Sequence, residues 1–275
     1  MMRSMYTLAL SGGLVLSAGS LLAQGERRTN ESDSALRSQR TDRVTKIGGA
    51  AYWAYGTHDA TFKTLPPFTN CCDEYGATTG NTYGVALRIR DIAPSLSFPL
   101  SVHAGYRNSA ARFRTTTTER MFDGTPTTVN ALIEHAVDLT WHDVTFGVTA
   151  DIALYQPVWL TLGIEGTYTA GASYTQSERL VTPTTMVFET GTNERNLSSG
   201  SLSGYSPVNA LADLGLRIRL LNFDVTKDDP LGTWIDLRGR YLWQITPTYN
   251  DPATEDNVGR AYRRHLLTVG LEAYF

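Results

Sequence analysis

From Lys46 to Phe275 the chain has a period of two, and no other feature constrains its fold as strongly. In the last block Leu267, Val269, Leu271, Ala273 and Phe275 alternate with Leu266, Thr268, Gly270, Glu272 and Tyr274. Upstream, Ile235, Leu237, Tyr241, Trp243 and Ile245 alternate with Asp236, Arg238, Arg240 and Gln244. Ala210, Ala212, Leu214, Leu216 and Ile218 do the same with Asp213, Gly215, Arg217 and Arg219. So do Tyr83, Val85, Leu87 and Ile89 with Gly84, Ala86, Arg88 and Arg90, and residues 46–56 and 158–170 repeat the pattern. Successive side chains of a strand point to opposite faces, so each block is a strand with one greasy face and one small or polar face. Helical spacing is nearly absent after Val44. Gly 24, Tyr 14 and frequent Thr, with only three Lys, agree with an all-β chain. Lys+Arg 24 against Asp+Glu 27 leaves a net charge of −3, which excludes a basic nucleic-acid binder.

The pattern predicts eight strands, at about 46–56, 79–92, 99–122, 127–154, 158–181, 208–222, 232–248 and 259–275. The stretch from Pro99 to Tyr155 reads as one long hairpin turning at Asp123-Gly124-Thr125-Pro126. Its apolar parity switches between Leu139, Trp141 and Val144, Phe146, Val148, which one extra residue near His142-Asp143, a β-bulge, would explain. The competing reading breaks the second arm there and adds strands. Short connections near 93–98, 155–157 and 223–231 contrast with longer ones at 57–78, 182–207 and 249–258. An even strand count with short turns at one end and long loops at the other is the layout of an antiparallel up-and-down transmembrane β-barrel.

The first segment reads as an address. Arg3, an apolar run from Tyr6 to Leu16 and small residues up to Ala23 make the three parts of a secretory signal peptide over 1–23. The small-residue rule at the cleavage site is half met, since Leu21 stands at −3. Residues 24–44 are polar and aperiodic and read as a flexible periplasmic tail, leaving 45–275 as the barrel. No later apolar run approaches the length of a spanning helix.

Alternation does not say which face is inside. Aromatics towards strand ends (Trp53, Tyr55, Tyr155, Trp159, Trp234, Trp243, Tyr249, Tyr274 and Phe275) suggest the girdles at membrane interfaces, and so a greasy face turned to lipid. The opposite face then carries Arg88, Arg90, Arg107, Asp138, Asp151, Glu165, Asp213, Arg217, Arg219, Asp236, Arg238, Arg240 and Glu272 into the lumen. Such charges must be paired there, because an isolated buried charge costs several kcal/mol. Arg217 or Arg219 is expected to face Asp236, and Asp213 to lie near Arg240. A lumen of eight strands is one that side chains just fill.

The last strand, with Leu267, Val269, Leu271, Ala273 and Phe275 in alternation, resembles the terminal signature of bacterial outer-membrane proteins. That resemblance implies recognition by the barrel-assembly machinery through Leu267, Val269, Leu271 and Phe275. Residues 46–275 also resemble the small OmpA-type and PorT-like barrels, with the words CCDEY at 71–75, IEHAVD at 133–138, ERLVTP at 178–183 and NERN at 193–196. Many such proteins continue into a peptidoglycan-binding domain. This chain stops at Phe275, so that activity is not carried over, and the resemblance supplies no catalytic motif.

Little else points to chemistry. Cys71-Cys72 sits in a Pro/Asn/Gly-rich loop in an oxidising compartment. A strained vicinal disulfide is the preferred reading, with an interchain disulfide, a metal site with Asp73 and Glu74, or free thiols as alternatives. His58-Asp59 and His142-Asp143 could be imagined as rim dyads, but solvated loop or bulge residues are the blander reading. No cofactor, metal or catalytic residue is expected. The expected role is a monomeric outer-membrane scaffold, in contact with lipid, presenting the loops 57–78, 114–135 and 182–207 to an external partner. A narrow transport path for small hydrophobic molecules, a rim enzyme and a soluble secreted barrel are the alternatives.

Overall fold

The computed structural model describes residues 45–61, 75–122, 128–223, 232–251 and 260–275. The expected leader 1–23 and tail 24–44, Cys71 and Cys72, and the hairpin tip Asp123–Pro126 lie outside the described residues. The strands are β1 (Lys46–Thr61), β2 (Thr78–Arg90), β3 (Leu100–Phe122), β4 (Thr128–Tyr155), β5 (Val158–Thr182), β6 (Glu194–Ser201), β7 (Val208–Phe223), β8 (Thr233–Gln244), β9 (Tyr249–Asp251) and β10 (Arg260–Tyr274). Neighbours pair antiparallel in the order β1-β2-β3-β4-β5-β7-β8-β10, and β10 pairs back with β1 from Gly48–Tyr274 to Thr61–Ala261. That seam closes an eight-membered ring and removes the two edges an open sheet would expose.

The two short strands fall in segments that the apolar pattern assigns to loops. β6 pairs with β5 from Ser173–Ser201 to Arg179–Glu194, and β9 pairs with β10 at Tyr249–Tyr262. Backbone groups must find partners whatever the side chains are, so Ser- and Asn-rich chain can pair with no alternation to reveal it. Thr115–Thr118 also lie within paired strand, in β3, so the hairpin arms extend well beyond the ring's polar centre.

Polarity inverts along the barrel axis. Near the short turns the inward positions are charged, polar or small, with a few aromatics packed on the arginines, while the outward positions, such as Val85, Leu87, Phe146, Ile164, Leu216 and Leu267, are apolar and exposed. Towards the long loops the outward face turns polar at Asp59, Asn81, Asn108, Thr140 and Arg263, and the interior becomes apolar. This inversion accounts for the parity switch in β4. Leu139, Trp141, Asp143, Thr145, Thr149 and Asp151 all point inward on one uninterrupted face. The apolar residues change sides because the surroundings change, not because β4 carries an extra residue at His142-Asp143. The irregularity at His142/Asp143 lies in the pairing with β5, where His142 meets Gly171 and Asp143 meets Thr169, so the extra residue is Ala170. β5 accordingly turns Glu165, Thr167 and Thr169 inward on odd numbers, then Ala172, Tyr174 and Gln176 on even ones.

Two glycines show how long inward side chains fit. A Cβ on Gly84 would lie 2.2 Å from the Tyr52 ring, and one on Gly147 would lie 2.5 Å from the His103 ring. Each aromatic side chain lies across a glycine on the neighbouring strand, a close approach that any larger residue would block.

Candidate functional site: a layered interior

Four of the expected girdle aromatics, Trp159, Trp234, Tyr249 and Tyr274, belong to the interior instead. Trp234 and Tyr274 are buried and stack with ring centroids 5.2 Å apart, and Trp159 lies 4.4 Å from the Arg217 guanidinium. Their numbers share the inward parity of their strands, which overrides position near a strand end. Tyr249 is buried too, in the apolar layer. Trp53, Tyr55, Tyr83, Tyr106, Tyr155, Tyr168, Trp243 and Phe275 are aromatics that stand exposed outside.

The layer nearest the short turns joins Arg90, Arg217 and Arg219 to Asp151 and Asp236. Arg217 contacts Asp236 at 2.6 Å and Asp151 at 3.2 Å, Arg219 contacts Asp236 at 3.3 Å, and Arg90 lies 3.5 Å from Asp151. Trp234 Nε1 also donates to Asp236 at 3.1 Å, and the Arg219 guanidinium stacks 4.3 Å above the Trp234 ring.

The next layer is continuous from strand to strand. Arg88 meets Glu272 at 2.8 Å, Glu272 meets Arg238 at 3.3 Å, and Arg238 meets Asp213 at 3.0 Å. Arg240 bridges Asp213 and Glu165, at 3.1 Å each. Glu165 also holds Arg107 at 2.7 Å and His103 at 3.2 Å. Arg107 then reaches Asp143 at 3.4 Å, and Arg264 closes the chain on Asp143 at 2.6 Å. Every carboxylate in these layers has at least two arginine partners. Arginine suits the task because its planar fork presents several donors to different acceptors at once.

Above Asp143 the interior turns greasy. Phe113, Leu139, Trp141, Tyr174, Tyr249 and Tyr262 pack together, with Tyr205 edge-on to Trp141 at 5.4 Å. Gln244 forms the boundary. Its Oε1 accepts from Arg264, and its Nε2 donates to Asn209 and Thr248. Further out, beyond the exterior apolar band, Glu178 is held by His135 at 3.1 Å and Arg195 at 2.7 Å. The hydrogen bond to His135, helped by the Arg195 charge, lowers the Glu178 pKa below its ordinary 4.5. Burial in the same region pushes the Tyr75 phenol up to about 12.

Of the expected charge set, Arg88, Arg90, Arg107, Asp151, Glu165, Asp213, Arg217, Arg219, Asp236, Arg238, Arg240 and Glu272 lie inside. Asp138 does not. It sits on the outward face of β4, above the apolar band, 3.7 Å from Arg112 with both side chains over 40% exposed. Its even number opposes the odd, inward parity of the strand. Asp143 and Arg264 are the members missed. Their signal was parity: Asp143 is in phase with Thr145, Thr149 and Asp151, and Arg264 with Leu266, Thr268 and Glu272. The imagined dyads fail for the same reason. His142 points outward to Tyr106 and Asn108 while Asp143 points inward, and buried His58 turns to the Tyr262 hydroxyl while Asp59 faces out. The terminal-signature residues Leu267, Val269, Leu271 and Phe275 are all exposed on the outer face.

A closed antiparallel ring, greasy outside over one band and ionic inside, leaves no backbone edge and hides no charge in hydrocarbon; it is a transmembrane β-barrel of the outer-membrane type. Among solved structures the chain is similar to Neisserial surface protein A, at 10% identity over 85% of this chain and 100% of that one, with a TM-score of 0.40. It is similar to Ail, the attachment invasion locus protein of Yersinia pestis, at 12% identity over 82% and 99%, with a TM-score of 0.25. The outer membrane protease OmpT from Escherichia coli aligns at 9% identity over 86% and 100%, with a TM-score of 0.32. No family model and no curated protein matches the chain.

Proposed function

We propose that this chain is a monomeric outer-membrane scaffold whose lumen is closed by its own side chains and whose long-loop end is presented to a partner outside the cell. The supporting observation is the unbroken run of ion pairs from Arg88 to Arg264 across the interior, capped by the aromatic layer around Trp141. In this reading the short turns face the periplasm and the extended parts of β3, β4, β5 and β6 stand clear of the outer leaflet. No side chain is assigned a catalytic role, and the outward Leu267, Val269, Leu271 and Phe275 serve the assembly machinery before they meet lipid. The scaffold is tested by reconstituting the purified protein in a planar bilayer. The expected result is no steady conductance above the lipid background. Large, long-lived channels in the natural protein would replace this reading with the transport one.

A further inference from the structure

The ion pairs do not balance. Among the described residues the central layer holds five guanidiniums, Arg88, Arg107, Arg238, Arg240 and Arg264, against four carboxylates, Asp143, Glu165, Asp213 and Glu272. Arginine does not shed its proton in a protein, so the excess cannot be removed by titration. Each of these guanidiniums has a carboxylate partner, but one positive charge is left over, and a net charge buried behind the greasy band is costly.

The same layer contains a cavity of about 20 Å³ of water-sized space, lined by Tyr52, Arg88, His103, Arg238, Arg240 and Glu272. A single water-sized species occupies at least about 10–15 Å³, so the cavity has room for one small ion. The small side chains of Ala50 and Ala86 also line the cavity. Arg88, Arg238 and Arg240 are each more than nine-tenths buried. Two polar atoms on the lining residues, Arg238 Nε and Tyr52 Oη, are buried and have no hydrogen-bond partner among the described residues, and both can donate.

We propose that this cavity binds one chloride-sized monovalent anion between Arg88, Arg238 and Arg240. The anion neutralises the surplus guanidinium and accepts from donors that no carboxylate reaches. The inference rests on the reading of the lumen as a closed ionic core, and it completes that core with an ion the chain does not encode.

The experiment uses the folded full chain in detergent micelles. Its thermal midpoint is followed in sodium chloride against sodium gluconate, at constant ionic strength and pH. Chloride and bromide should raise the midpoint along a saturating curve, while gluconate, too large for the cavity, should not. Crystals grown in bromide should show one anomalous peak within the ring of Arg88, Arg238 and Arg240. A tethered carboxylate, Ala86→Asp, should remove the chloride dependence and give in gluconate the midpoint the natural chain reaches in chloride. Equal midpoints in both salts with no bromide peak would overturn the proposal and leave water in the cavity. A peak without a saturating rise would overturn it as well, marking an adventitious ion only. If Ala86→Asp does not fold, the salt curve and the bromide map of the natural chain still decide. Neither measurement depends on conductance, so a failure of the anion site and a failure of the closed-lumen reading remain separate results.

Discussion

Glu165→Gln probes the interior where its charges are most densely shared. Glu165 is fully buried and receives Arg107 at 2.7 Å, Arg240 at 3.1 Å and His103 at 3.2 Å. The amide keeps the volume, so no cavity opens and only the charge is lost. Arg107 is then left with Asp143 at 3.4 Å, and Arg240 with Asp213 at 3.1 Å. Breaking a buried pair by removing one partner costs about 3–5 kcal/mol. Because each arginine keeps a second carboxylate, the lower end applies, about 3 kcal/mol, or roughly a hundredfold in the folding equilibrium. The assay is urea unfolding from lipid vesicles, followed by tryptophan fluorescence and by the folded band on cold electrophoresis. Asp138→Asn is the matched control. Its partner Arg112 lies 3.7 Å away, both side chains are over 40% exposed, and a surface pair of this kind contributes about 0–1 kcal/mol. Replacing Arg107 and Glu165 together by Met should cost less than the two single changes summed, since an apolar pair leaves no orphaned charge. Equal costs for Glu165→Gln and Asp138→Asn would refute the claim that the lumen charges are buried and mutually dependent.

Three further outcomes follow from the same geometry. Gly84→Ala should destabilise the barrel by about 1–3 kcal/mol, because the new Cβ would stand 2.2 Å from the Tyr52 ring, while Gly49→Ala, with open space around it, should be near neutral in the same unfolding assay. Leu87→Arg, on the outward band, should cost about 2–4 kcal/mol in vesicles, whereas Thr140→Arg, on the outward face beyond the band, should cost about 0–1 kcal/mol. Glu178 has its pKa lowered in the folded state, so its stabilisation is complete above the ordinary carboxylate value and is lost as pH falls through the lowered one. Protease access to the long-loop end should therefore rise in acid while the barrel stays intact, and Glu178→Gln should show the acid level of cleavage already at neutral pH.

The order of residues alone is enough to specify the strand count of the ring, the antiparallel sequence of its strands and the two faces within the greasy band. These follow from parity, a local property written every second residue, as at Tyr83–Arg90 and Leu266–Phe275. Parity also held the clues to Asp143 and Arg264, and to the inward turn of Trp234 and Tyr274. Hydropathy masked them, because an apolar side chain marks the outside of the barrel within lipid and the inside of it in water. Where the membrane ends along each strand is a matter of depth, and depth depends on tilt, register and neighbouring strands together. It therefore took the assembled ring to move Asp138 out, set Trp141 in an apolar layer, place the extra residue at Ala170, and pair Ser-rich 194–201 with β5. The ionic core has the same origin. Arg107 and Glu165, or Asp143 and Arg264, lie far apart in the chain, and closure of the ring at β1 and β10 is what brings the arginines and carboxylates of different strands within reach of one another.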